Sequence, residues 1–202
     1  MDPQLTALMI NCTLKPSPAE SSTHVLGEQI LAELAEHGVV GDRIRAVDHD
    51  IRPGVMTDMG DGDEWPELRA RVLAADIVVF ATPTWLGQAS SVAQRVLERL
   101  DAELSETDEQ GRPSLFDKVA IAAVVGNEDG AHHIAAVLFQ ALDDVGFSLP
   151  AQGSVYWNGE AMHKTDYKDL PSTPEKVAQS TKTAAANAAH LARALKIQPY
   201  SA

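Results

Sequence analysis

Leu8-Met9-Ile10-Asn11-Cys12-Thr13-Leu14-Lys15-Pro16-Ser17-Pro18-Ala19-Glu20-Ser21-Ser22-Thr23 runs an apolar strand directly into a hydroxyl-rich loop that opens a helix. A bound phosphate needs several donors converging on one point. Thr13, Lys15, Ser21, Ser22 and Thr23 bring hydroxyls and one cation beside the unpaired N–H groups of a helix start. Serine is a preferred N-cap, so capping explains one of Ser21 and Ser22, but it does not explain the whole set. The spacing matches neither the glycine fingerprint of dinucleotide folds nor the P-loop of nucleotide triphosphatases. The loop therefore points to a phosphate without naming the ligand.

Outward from this junction, strands and helices alternate. Leu5 to Asn11 suits a strand buried on both faces, and Leu26, Ile30 and Leu34 recur at helical spacing up to Gly38. Arg43 to Val47 is expected as a short second strand. A Gly/Asp-rich loop follows over Pro53 to Asp63, then a helix marked by Leu68, Val72 and Leu73 with Pro66 in its first turn. Ile77 to Ala81 is the clearest strand, followed by a helix on Val92, Val96 and Leu100 and a buried strand over Val119 to Val125. Ile134, Leu138 and Leu142 mark the next helix, Gly153 to Trp157 the last strand, and Val177 to Leu195 a long alanine-rich helix. Five strands alternating with five helices predict an α/β fold, a three-layer α/β/α sandwich around a five-stranded parallel sheet. Parallel neighbours need crossover connections, and helices fill that role on both faces. With 202 residues and no linker or repeat, residues 1–202 are expected to form a single domain.

Composition excludes some functions. The net charge of −13 argues against nucleic acid as a partner, because phosphate backbones are bound by clustered Lys and Arg. Residues 161–202 hold six Lys and Arg against three Asp and Glu, so the first 160 carry a formal charge of −16. The basic segment reads as a solvated helix face, with subunit contact or nucleotide docking as alternatives. A lone Cys12 leaves no intrachain disulfide, zinc–thiolate site or iron–sulfur cluster. Thr57 to Glu64 lacks the alternating ligands of a calcium loop, and adjacent His132 and His133 are a poor metal signal, so no metal is expected. No run approaches the ~20 apolar residues of a membrane span, and a cytoplasmic location is the expectation.

In parallel α/β folds ligands sit beyond the carboxyl ends of the strands, where strand order reverses. Three unusual loops fall at such ends: the hydroxyl loop, Thr82 to Gln88, and Gly126 to His133. Together they would surround a flat, phosphorylated ligand. Flavin mononucleotide, FMN, has that shape.

These loops resemble those of the flavodoxin-like FMN proteins, and more closely the NAD(P)H-dependent FMN reductase and quinone reductase family, over nearly the whole chain. The family's first loop reads approximately Ser-Pro-Arg, a spacer, Asn or Ser, Thr and an apolar residue. Thr13-Leu14-Lys15 and Ser22-Thr23, with Val25 and Leu26 following, occupy those places. Lys15 stands for the family's Arg, offering a point charge in place of a bidentate fork. Thr82-Pro83-Thr84-Trp85-Leu86-Gly87 is similar to the second family loop, along the isoalloxazine edge, and Gly126-Asn127-Glu128-Asp129-Gly130 to the third.

The resemblance implies strand order 2-1-3-4-5, FMN as cofactor and NADPH or NADH as co-substrate. It implies a small-molecule electron acceptor such as a quinone or free flavin, and a homodimer or homotetramer. The implied cofactor residues are Thr13, Lys15, Ser21, Ser22 and Thr23; Pro83, Thr84, Trp85, Leu86 and Gly87; and Gly126, Asn127, Glu128, Asp129 and Gly130. It also sets the segment Glu103 to Lys118 near the flavin or a dimer contact. No side chain is expected as a nucleophile, because the cofactor carries the chemistry. Glu128 and Asp129 are expected to point away or to bond backbone, since a carboxylate opposes an anionic reduced flavin. His132 and His133 either supply protons or face solvent, and Tyr156 and Trp157 either wall a pocket or pack beneath the last helix. Two other readings stay open: an electron-transfer flavodoxin, which strong acidity favours, and a flavin-free binding module.

Overall fold

The computed structural model describes residues 4–201. Its elements are β1 (Leu5–Asn11), α1 (Ser22–Glu36), β2 (Val39–Arg45), α2 (Trp65–Ala74), β3 (Ile77–Trp85), β4 (Gln88–Ala89), α3 (Ser91–Leu100), β5 (Val119–Gly126), α4 (Ala131–Asp144), β6 (Ser154–Asn158) and α5 (Glu175–Ile197). The parallel sheet runs β2-β1-β3-β5-β6, and β4 pairs only with β3, antiparallel. Leaving out that two-residue hairpin arm, the order is the expected 2-1-3-4-5.

Alternation along the strands sorts the core into two layers. Leu8, Ile10, Val78, Phe80, Ala120, Ala122 and Val124 face α2, α3 and α4 through Leu68, Val72, Val96, Leu100, Ile134, Leu138 and Leu142. The intervening residues Met9, Ile77, Val79, Ile121, Ala123 and Val125 face α1 and α5. There Leu26, Ile30 and Leu34 meet the buried alanines Ala184, Ala185, Ala188, Ala189 and Ala192. A strand buried on both faces reads as a continuous apolar run, and β5 is buried along Val119–Val125.

Two expectations move. The second strand is Val39–Arg45, not Arg43 to Val47, and Ala46–Asp48 is a 3₁₀ turn. It is an edge strand whose Val40, Gly41, Asp42 and Arg43 are exposed, so it lacks the apolar run that marks buried strands. Thr82 to Trp85 is not loop but the continuation of β3, paired to Val124 and Val125 of β5 through Thr82 and Pro83. The chain then reverses at Leu86 and Gly87, with φ of 51° and 71°, between the pairs Thr84–Ala89 and Trp85–Gln88. Two consecutive residues at positive φ make a type I′ turn, the geometry that suits the strand twist of a hairpin.

Candidate flavin-phosphate site

A cavity of about 540 Å³ opens at the carboxyl ends of β1, β3, β5 and β6, within the ~300–1,000 Å³ range of small-molecule sites. Its polar end is the β1–α1 loop. Ser21 caps α1 by accepting from His24 N–H at 3.2 Å, so Ser21 is the residue that capping accounts for. Thr13, Lys15, Ser22 and Thr23 line the same end. The N–H groups of Leu14, Lys15, Ser22 and Thr23 have no acceptor among the described residues.

Neighbouring segments fix the loop's shape. Arg45, at the end of β2, donates from Nη1 to Ala19 O at 2.8 Å and Lys15 O at 3.3 Å. Asp48 accepts from Ser17 N–H at 2.7 Å and Ser17 Oγ at 2.5 Å. Burial pushes the Asp48 carboxyl up, but the two bonds from Ser17 and the charge of Arg45 outweigh it and hold the group below the usual carboxylate range. Ser90 ties this loop to the next: its Oγ donates to Cys12 O at 2.6 Å, and its N–H reaches Thr82 Oγ1 at 3.1 Å.

The apolar end is built by the β3–β4 hairpin and by the chain beyond β6. Pro83, Thr84, Trp85, Leu86, Gly126, Asn127 and Glu128 line it, joined by Val125, Trp157, Ala161 and Met162. Trp85 is 54 % exposed and Leu86 91 % exposed, so large apolar surfaces stand at the rim. Thr84 is buried, and its hydroxyl has no hydrogen-bond partner among the described residues. A buried hydroxyl without a partner costs free energy, and a ligand with a polar edge would satisfy it. Free N–H groups and hydroxyls at one end, an apolar wall at the other and an unpartnered hydroxyl between them fit a phosphorylated flavin.

Gly87, Asp129 and Gly130 do not line the cavity. They hold the loops that do. A Cβ built on Gly130 would lie 2.7 Å from Gly87 Cα, so the β3–β4 turn and the start of α4 touch through two glycines. Asp129 accepts from Gly130 N–H at 2.7 Å. Glu128 accepts from Leu86 N–H at 2.6 Å, a backbone bond as expected, but it lies on the cavity wall and does not point away.

His132 Nε2 lies 2.8 Å from Tyr156 Oη, and His133 Nε2 lies 3.1 Å from Gln88 Oε1, both outside the cavity lining. Trp157, one strand position from Tyr156, instead faces the cavity and packs on Tyr167 at 5.4 Å between ring centres. The segment Glu103 to Lys118 contributes nothing to the lining. It is a structural clasp: buried Glu103 accepts from Arg69 and from Ser114 Oγ, and Arg112 joins Asp108 to Asp117.

Sequence reasoning missed Leu14, Glu20, Val125, Ala161, Met162, Asp166 and Lys168. The last four lie where the chain returns over the cavity after β6. Asn127 Nδ2 holds that return, donating to His163 O at 3.2 Å and Asp166 Oδ1 at 3.1 Å. Lys168 N–H donates to Ser22 Oγ at 3.2 Å, and Tyr167 Oη donates to Gln29 Oε1 at 2.5 Å. No spacing rule signals these contacts, because they join residues from 36 to 146 positions apart.

Comparison with known proteins gives this geometry a family. The profile of NADPH-dependent FMN reductase matches residues 6–161. The 8-demethyl-8-aminoriboflavin-5'-phosphate synthase of Streptomyces davaonensis is 33% identical over 209 residues, covering 98% of this chain and 80% of that protein. A solved structure of RosB with bound 8-demethyl-8-formylriboflavin-5'-phosphate superposes with a TM-score of 0.87 at 33% identity, covering 97% of this chain and 82% of the other. A Mycobacterium bovis protein described as divalent metal cation transporter MntH is 44% identical over 169 residues, 82% of this chain. The chain spans about a quarter of that protein's length. Among the described residues no helix is long and apolar enough to cross a membrane, and no three His, Cys, Asp or Glu are grouped to hold a metal ion. With its flavodoxin-like fold and a match over most of its length, the chain belongs to the NADPH-dependent FMN reductase family.

Proposed function

We propose that the chain is an FMN-dependent oxidoreductase that accepts reducing equivalents from NADPH or NADH and passes them to a small acceptor, a quinone, free flavin or similar molecule. The observation that carries this reading is the cavity itself, donor-rich at one end and apolar at the other, at the strand ends where this fold takes its ligands. When bound, FMN supplies the redox chemistry. The protein's part is binding, orientation and exclusion of water. The N–H groups of Leu14, Lys15, Ser22 and Thr23 and the hydroxyls of Thr13, Ser22 and Thr23 would hold the phosphate. Thr84 would bond the polar edge of the ring, and Trp85, Trp157 and Met162 would keep water from it. The Glu128 carboxylate accepts from Leu86 N–H, which fixes it to the β3–β4 turn. Residues 1–202 would act as one FMN-binding unit, self-associating as a homodimer or homotetramer in the cytoplasm.

Anaerobic titration tests this. Purified protein reconstituted with FMN is mixed with NADPH or NADH, and the flavin band near the visible maximum is followed. Rapid bleaching by either nucleotide is expected, with colour restored by a quinone; a protein that takes up no FMN overturns the reading.

A second reading is favoured by the 33% relative across nearly the whole chain, a synthase of an 8-amino flavin phosphate. Under it, FMN is transformed and not merely used. Mass spectrometry of the flavin after aerobic incubation separates the two: an unchanged mass after many turnovers supports the reductase, and a shifted mass supports flavin modification.

A further inference from the structure

We infer that Lys168 is a second cation for the ligand's phosphate, and that Glu20 occupies its ammonium group until the ligand arrives. This rests on the flavin-phosphate reading of the cavity and adds to it a residue from the far end of the chain.

Lys168 lines the cavity at the end formed by Thr13, Lys15 and Ser22. Its backbone is anchored there, since its N–H donates to the Ser22 hydroxyl at 3.2 Å. The side chain is 19% exposed, and its Nζ lies 2.7 Å from Asp169 and 3.6 Å from Glu20. Asp169 also feels the positive charge of Lys15, so both lysines stand at this one end of the cavity.

Glu20 differs from Asp169 in what holds it. Its side chain is 85% exposed and its contact with Lys168 is long, whereas Asp169 is the adjacent residue in a short, direct bond. A long ion pair to a side chain that stands mostly in water holds weakly, so moving Glu20 aside costs little. A phosphate dianion offers three acceptors and makes charge-assisted bonds about twice as strong as neutral ones. Glu20 is therefore the replaceable partner. The ligand class selected is a flavin carrying a terminal phosphate monoester, in preference to the same ring without phosphate.

Fluorescence titration with FMN and with riboflavin, at low salt and neutral pH, tests the inference on the full chain. Lys168→Met keeps the apolar stem and removes the charge. It is expected to weaken FMN about tenfold and riboflavin less than about twofold, with Lys168→Arg restoring most of the FMN affinity. Glu20→Gln is expected to tighten FMN about threefold, to leave riboflavin unchanged, and to lose this effect in the Lys168→Met background. Equal loss of FMN and riboflavin affinity in Lys168→Met, or no loss at all, overturns the role for Lys168 while leaving the cavity as the flavin site. If the wild-type chain binds neither flavin, the cavity reading fails and the inference fails with it.

Discussion

Replacing Gly130 with alanine strikes the contact that sets two walls of the cavity against each other. Gly130 sits at φ 141°, a backbone conformation L side chains rarely adopt, and its Cβ would come 2.7 Å from Gly87 Cα and 2.9 Å from Gly87 O. The obstacle is backbone, which cannot rotate away as a side chain can. Backbone strain at such a position costs ~1–3 kcal/mol, and overpacking a close contact another ~1–3 kcal/mol, so a loss of about 3–4 kcal/mol is expected. For a chain of this size that lowers Tm by roughly 6–16 °C. Gly60→Ala is the control: its φ is 92° but nothing lies within 4 Å of the added Cβ, so only the backbone cost, about 1–2 kcal/mol, applies. Thermal and urea unfolding followed by far-UV circular dichroism give both values, and FMN titration gives the consequence for the site. The clash pushes the β3–β4 turn off the loop after β5, so FMN affinity should fall in Gly130→Ala and hold in Gly60→Ala. Equal stability losses in the two variants would refute the glycine–glycine contact as the cause.

Lys15→Ala should weaken FMN about tenfold at unchanged Tm, read by fluorescence titration; unchanged affinity would place phosphate recognition on Ser22, Thr23 and their N–H groups. Asp63→Asn removes the counter-charge from Arg99, whose side chain is fully buried and whose other hydrogen bonds among the described residues go to the carbonyls of Arg52 and Met56, so urea unfolding should show a loss of about 3–5 kcal/mol. A loss below about 1 kcal/mol would show that the buried pair is dispensable. Burial pushes the Asp63 carboxyl up, but the N–H of Met59, the Arg99 guanidinium and the N–H groups of Arg52 and Trp65 outweigh it and hold the group below its ordinary range. Its folded pKa therefore lies below the unfolded value near ~3.9, so its contribution is present above that value and lost as pH falls through the folded pKa. Urea midpoints of the wild type should hold between about pH 6 and 8 and drop below about pH 4, and the drop should be shallower in Asp63→Asn.

The sheet is legible because β1, β3 and β5, three of its five parallel strands, carry the signal that burial on both faces imposes. β2 was misplaced because only Val39, Ile44 and its pairing with β1 mark it, and an edge strand needs no apolar run. The hairpin after β3 was hidden for a different reason. Thr82-Pro83-Thr84-Trp85 follows the apolar run Ile77 to Ala81 with polar residues and a proline and so carries no apolar strand signal, although Pro83 continues the β3–β5 ladder. All three stretches singled out at strand ends contribute to the cavity lining, whereas Met162, Asp166 and Lys168 carry no signal in the sequence. Their place over the cavity depends on how Asn127, Ser22 and Gln29 catch a segment arriving from β6. The buried Arg99–Asp63 pair was equally silent: Asp63 looks like one more acid in a Gly/Asp-rich surface loop until α3 brings Arg99 beneath it.

The exposed side chains at the mouth of the cavity have a calorimetric consequence. Trp85, Leu86 and Met162 are 54%, 91% and 97% exposed, and Leu86 is held at φ 51° by a turn whose N–H is fixed to Glu128. That turn prevents the rim from folding onto itself to escape water, so its apolar surface stays hydrated in the free protein. A ligand that covers all three must release that water, and its binding should carry a negative heat-capacity change. Recognition through the phosphate alone would leave the rim wet and the heat capacity nearly unaltered, so calorimetry at several temperatures reads directly which end of the cavity a ligand uses.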